Sequence, residues 1–313
     1  GTFTTMDLAS FIRNGDFQTE RYLLRGNRQV EEWHSRFTYH GFQYVRIIID
    51  GNAELLEITA QEMRSGFARI GHFASSSPEL NQLYSCAVSS YSGNFVGIPT
   101  DCPHREKNGW TADALIAAET GLFSFDAATG YMQWLQSMAD VQRPNGQFPG
   151  IVPSGGWGYN YGSGPLWDAA FCFIPYYLWL YTGNDEAIRR NFDAMRRHLD
   201  YLGTVAENDI IAFGLGDHSH PFPERAVPAE FVLTAVYRAE ALMLARFARM
   251  LGVPDREFNA RADRIEHALN AAFPDRTEAT ALALYAYHRF GPPDAAERLH
   301  VHMEKLEGKA DFY

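Results

Sequence analysis

The apolar pattern changes period once along this chain, near Ser76, and that change limits the fold more than any other feature. Before it the sequence reads as β. Arg36–Asp50 (RFTYHGFQYVRIIID) is dense in aromatic and β-branched residues, Asp50-Gly51-Asn52 marks a turn, and Ala53–Ile58 resumes a short apolar run. A hairpin is expected there, read as the end of a β-sandwich and not a whole one. After the change come helices joined by Gly- and Pro-rich loops. Ser77 is placed to cap a helix with Pro78 at its first position, and Leu80, Leu83, Tyr84, Ala87 and Val88 repeat at helical spacing. Further helices are expected near 112–123, 126–142, 168–182, 185–203, 229–251, 255–272, 277–290 and 293–306.

The loops between these helices are unequal. Arg143–Pro165 and Glu207–Pro228 are long, and long loops inside a compact domain are usually functional. Amphipathic helices with alternating short and long loops suit an α/α toroid, whose long loops gather at one mouth. A plain helical bundle is the simpler alternative. The count of about nine helices is fewer than six complete helical hairpins require.

Composition narrows the partners. The net charge is −11, which disfavours nucleic acid or an anionic membrane surface and suits a neutral substrate. No apolar run reaches the ~18 residues of a membrane span. The three cysteines, Cys86, Cys102 and Cys172, are widely spaced and form no CxxC pattern, so neither a zinc site nor a disulfide framework is indicated. No metal or other cofactor is expected.

Three clusters carry candidate chemistry. The densest is Gly97–Asp113 (GIPTDCPHREKNGWTAD), with Asp101, Arg105, Glu106, Trp110 and Asp113 in a loop stiffened by Pro99 and Pro103. Gly109 is read as permitting an unusual backbone. Glycoside cleavage needs one carboxylic acid to protonate the leaving oxygen and one carboxylate on the other face. Asp101 and Asp113 beside Glu106 favour retention of its proton, whereas Arg105 and Lys107 oppose it if they face it. The second cluster, Gly155–Asp168 (GGWGYNYGSGPLWD), sets Trp157, Tyr159, Tyr161 and Trp167 among glycines. Sugars stack their C–H faces on such rings. Asp168 either binds hydroxyls or caps the following helix. The third, Gly214–Pro223, holds Asp217, His218 and His220 in a loop that is either a sugar contact or an ordinary turn.

The run Asp101–Asp113 (DCPHREKNGWTAD), with Asn94–Thr100 (NFVGIPT) before it, resembles the signature of glycoside hydrolase family 78, the α-L-rhamnosidases. Phe37–Val45 resembles the closing strands of the family's β-sandwich. Trp167–Ala170, Tyr181–Asn184 and Gly214–His218 resemble later family segments. The resemblance implies a mainly α chain: an (α/α)6 barrel, incomplete at the C-terminus, preceded by part of a β-sandwich. Residues 1–70 are then the sandwich end and linker, and 71–313 the barrel lacking its last helices.

It also implies hydrolysis of rhamnosides with inversion. Glu106 matches the general acid, and Asp101 and Asp113 match residues that bind rhamnose hydroxyls. Arg105, Trp110, Trp157, Trp167 and Asp168 match further pocket residues. His218 stands where family members often carry Trp. The family's general base is a Glu beyond Lys309–Phe312, so low activity is expected of this chain, and neither Glu304 nor Glu307 is promoted to that role. The alternatives are a carbohydrate-binding fragment without catalysis and another α/α-barrel glycosidase.

Overall fold

Helix α1 (Pro78–Gly93) starts where the sequence places it: Pro78 occupies the first turn and the Ser77 hydroxyl accepts the Leu80 N–H at 3.3 Å. In this computed structural model, which describes residues 18–216 and 227–274, α1 is followed by a two-stranded antiparallel ladder of β1 (Phe95–Val96) and β2 (Ile98–Pro99). The remaining helices are α2 (Thr111–Ser124), α3 (Ala128–Asp140), α4 (Pro165–Asp168), α5 (Ala170–Thr182), α6 (Glu186–Val205), α7 (Ala229–Leu251) and α8 (Arg256–Ala272). The helices expected up to residue 272 are found to within a few residues. The exception is at 168–182, where Pro165 seeds a separate turn, α4, ahead of α5. The helices expected at 277–290 and 293–306 lie outside the described residues.

Sequence also dictates which helices lie inside. α7 packs against α4, α5, α6 and α8. Its Phe231–Ala241 run is buried on every side, Thr234, Arg238 and Glu240 included. α5 (AFCFIPYYLWLYT) is likewise mostly buried despite Pro175 in its interior. α6 and α8 bury one stripe each. Ile188, Asn191, Met195, His198 and Leu202 do so in α6, and Phe258, Ala262, Ile265 and Leu269 in α8. α7 ends at Gly252, whose φ of +71° is the left-handed cap that stops a helix without steric cost. The α1 stripe is only partly used: Val88 and Tyr91 are buried, whereas Leu80 and Leu83 are exposed.

The β expectation fares differently. Residues 36–58 form no ladder, and Phe37 and Ile48 are 97% and 82% exposed. A period-two segment buries a face only against an opposing layer, and the described residues supply none. The sandwich is therefore not seen. The stretch 65–71 is instead stitched to the helical body. Ser65 N donates to Phe95 O (2.8 Å), Asp126 N to Ala68 O (2.9 Å) and Ile70 N to Ser124 O (3.0 Å), and the Phe67 ring meets Phe95 edge-on.

Candidate active site

The β1–β2 ladder delivers the chain to Asp101, and the loop 101–110 returns it to the start of α2. Both ends of this loop are tied. Asp101 N donates to Asn108 O (3.1 Å), and Asn108 N donates back to Asp101 Oδ1 (2.9 Å). Inside it the Cys102 thiol donates to Asp101 Oδ2 (3.1 Å) and accepts the Glu106 N–H (3.2 Å). The unusual backbone falls at Lys107 (φ +55°) and not at Gly109. The Lys107 ammonium donates to Tyr39 O and lies over the Tyr39 ring.

Glycine is needed at 109 for a different reason. An added Cβ would stand 2.0 Å from Val152 O. At this contact the 101–110 loop runs against 150–152: Val152 N donates to Gly109 O (2.8 Å), Thr111 N to Gly150 O (3.0 Å), and Trp110 bridges Ile151.

This seam brings the first two sequence clusters together. The Trp110 indole N–H donates to Glu106 Oε2 at 2.8 Å, and Asn108 Nδ2 reaches the same oxygen at 3.3 Å. Trp157 and Tyr161 stack at 5.3 Å, each about 6 Å from the Trp110 ring. Gly162, at φ +68°, lies against that ring: a Cβ there would come within 2.2 Å of it.

Asp113 stands in the first turn of α2, where helix polarity favours a carboxylate. Burial nevertheless pushes its carboxyl up to about 6, with the charges of Asp101 and Glu106 adding to the rise. Burial raises Asp101 as well, against the stabilising thiol and the Asn108 N–H. Asp101 and Asp113 line a pocket of about 240 Å3 with Tyr91, Asn94, Thr100 and Tyr131. A larger groove between α3 and α6 contains Glu186 and Arg190 but neither these carboxylates nor the aromatic wall.

Not every expected residue converges here. Arg105 is exposed. Tyr159 turns away, its hydroxyl donating to Val141 O at 2.6 Å with Arg143 over its ring. Trp167 is nearly buried, and Asp168 is wholly so, its Oδ2 accepting the Gly164 N–H at 3.0 Å. Asp168 does not cap the following helix, α5, which begins without a side-chain hydrogen bond; it braces the turn before α4 instead. A group without solvent contact does not meet a sugar in this structure. His218, with Asp217 and His220, lies outside the described residues.

Sequence reading passed over a buried polar group beneath the aromatic loop. Glu240 and His198 have no exposure, and Cys172 Sγ donates to Glu240 Oε2 at 3.5 Å. Burial raises Glu240 and Asp168 well above the carboxylate range and lowers His198 to about 4. The 3.5 Å approach of His198 Nε2 to Glu240 is therefore a meeting of neutral groups, not an ion pair. With Nδ1 facing the Gly146 carbonyl at 3.3 Å, the ring proton sits on Nδ1. The missed signal was phase: His198 falls on the buried stripe of α6, and Glu240 lies among buried residues of α7.

Both parts of the chain resemble known proteins. Residues 68–288 match the bacterial alpha-L-rhamnosidase 6 hairpin glycosidase domain, and residues 1–64 match the bacterial alpha-L-rhamnosidase concanavalin-like domain. An alpha-L-rhamnosidase of Formosa agariphila is 29% identical over 285 residues, covering 87% of this chain and 30% of its own length. One from Streptomyces avermitilis is 29% identical over 277 residues, covering 87% of this chain and 26% of its own. The chain thus spans less than a third of either relative. The crystal structure of the Streptomyces avermitilis alpha-L-rhamnosidase complexed with L-rhamnose aligns with a TM-score of 0.69 at 24% identity, over 78% of this chain and 24% of that one, which speaks for the fold. With the six-hairpin match extending over more than half its length, this chain belongs to the bacterial α-L-rhamnosidase six-hairpin glycosidase family.

Proposed function

We propose that the chain carries the acid side of an inverting α-L-rhamnosidase site, which releases terminal α-L-rhamnose from rhamnosides with Glu106 as general acid. The observation behind this is the Trp110 indole held 2.8 Å from Glu106 Oε2 beside two part-buried carboxylates. Two N–H donors converge on Oε2, so the transferable proton belongs on Oε1, the oxygen left to face the glycosidic bond. Asp101 and Asp113 accept sugar hydroxyls. Trp110 and Trp157 form the pocket wall, and Asp168 braces the turn before α4; the sugar-binding roles expected of Arg105, Trp167 and His218 are not assigned. Inversion requires a second carboxylate about 6.5–9.5 Å away across a water, and we assign none of the described residues to it. Residues 1–70 are read as sandwich and linker, and the barrel begins at 71.

The test compares aryl α-L-rhamnosides with poor and good leaving groups, wild type beside Glu106→Gln. Loss of general acid catalysis costs about 10²–10⁴ in rate when the aglycone must be protonated, and far less when the phenolate leaves unaided. Equal losses on both substrates would remove Glu106 from the role. L-rhamnose binding without turnover in the wild type would favour a carbohydrate-binding function.

A further inference from the structure

Three cysteines are present, and the structure treats them differently. Cys86 is exposed on α1 and Cys172 is buried in α5, whereas Cys102 is half-buried inside the acid loop. Its thiol makes two hydrogen bonds at once, donating to Asp101 Oδ2 and accepting the Glu106 N–H. Asp101 and Glu106 are also joined from the other side. Asn108 gives its main-chain N–H to Asp101 Oδ1 and its side-chain amide to Glu106 Oε2. The two Asp101 oxygens thus each accept a protein donor, from Asn108 and from the Cys102 thiol, and the Cys102 N–H adds to the stabilisation of the carboxylate.

We propose that Cys102 is a positioning residue: its thiol couples the Asp101 carboxylate to the main chain of Glu106, so that the hydroxyl-binding group and the acid are held in one register. This rests on the reading of Asp101 and Glu106 given above. The residue type matters physically. A thiol both donates and accepts, and its long C–S bond reaches forward to the N–H four residues on while keeping contact with the preceding side chain. Alanine leaves the Glu106 N–H without this acceptor and Asp101 Oδ2 without this donor. Serine retains both capacities on a shorter arm. Pro103, directly after it, fixes φ and limits the loop's freedom to compensate.

The test uses Cys102→Ala and Cys102→Ser in the whole chain, with three measurements. L-rhamnose affinity reports the Asp101 arm. The rate ratio between poor and good leaving groups reports the Glu106 arm. The infrared S–H stretch of Cys102, assigned by difference against Cys102→Ser, reports the thiol's donation directly. Cys102→Ala is expected to weaken L-rhamnose binding by about tenfold, the equivalent of one net hydrogen bond, and Cys102→Ser to recover most of that. In Asp101→Asn the S–H stretch is expected to move to higher frequency as its carboxylate acceptor is lost.

An S–H band unmoved by Asp101→Asn overturns the proposal even if Cys102→Ala fails to fold. So does an alanine variant that binds and turns over within twofold of wild type, or a serine variant that loses as much as alanine. The infrared and affinity measurements need no turnover. A failure of Glu106 as the acid shows separately, in the leaving-group response of Glu106→Gln.

Discussion

Gly109→Ala tests the contact that joins the 101–110 loop to the loop that carries the aromatic cluster. Gly109 is buried and its φ is not in the left-handed region, so alanine brings no backbone strain. What it brings is a Cβ 2.0 Å from Val152 O and 2.9 Å from the Val152 carbonyl carbon. Ordinary carbon–oxygen contacts begin at about 3.3 Å, so the two segments must part by roughly 1 Å. The flanking hydrogen bonds, Val152 N to Gly109 O at 2.8 Å and Thr111 N to Gly150 O at 3.0 Å, would then stretch to roughly 4 Å, beyond useful range. Two lost bonds in a largely buried seam cost about 2–4 kcal/mol. The entropic gain of Gly→Ala in the unfolded chain returns up to about 1 kcal/mol. A net loss of about 1–3 kcal/mol should lower Tm by at least about 2 °C. Trp110 should also become wetter as its loop lifts. Thermal melting with tryptophan fluorescence measures both. Gly66→Ala is the control, because nothing lies within 4 Å of the added Cβ. An unchanged Tm and emission in Gly109→Ala, matching that control, would refute the close-approach argument.

Two further predictions concern titration. Asp113, raised to about 6, holds its proton in the folded state over a range where the unfolded chain has lost it. Its contribution to stability is therefore present at acid pH and fades as pH rises through about 6, so Asp113→Asn should stabilise the protein more at pH 8 than at pH 4 in urea titrations. Equal effects at both pH values would contradict the raised value. His198 runs the opposite way. Its folded value is lowered from 6.5 to about 4, so the unfolded state binds the proton more readily in between and stability falls as pH drops through that window. The fall is on the order of 3 kcal/mol. His198→Gln, which retains a donor for Gly146 O, should flatten the acid limb of the urea midpoints, and an unaltered limb would exclude His198 as its source.

Helix positions were legible in the sequence because they depend on local signals. The Ser77–Pro78 start, the apolar period of α6 and α8 and the glycine after α7 each act within a few residues. The candidate site loop was legible too, since Asp101, Glu106 and Asp113 are crowded into one short stretch with Trp110. Pairings across long sequence distance were not. That Gly109 abuts Val152, and that Trp110 meets Trp157 and Tyr161 while Tyr159 and Asp168 do not join them, depends on how two separate loops cross.

Charge state divides in the same way. The sequence lists which groups can titrate, but burial decides the form they take. Glu240 and His198 are polar residues that helices usually turn to water, yet His198 falls on the buried stripe of α6 and Glu240 in the wholly buried run of α7, where ionised groups lose hydration, so both are held neutral. The sequence by itself determined most helix positions among the described residues, the carboxylate loop and the family signature, all written in contiguous residues. Only the tertiary structure decided which oxygen of Glu106 is held, which carboxylates are desolvated and which aromatic rings gather, because each depends on atoms far apart in the chain.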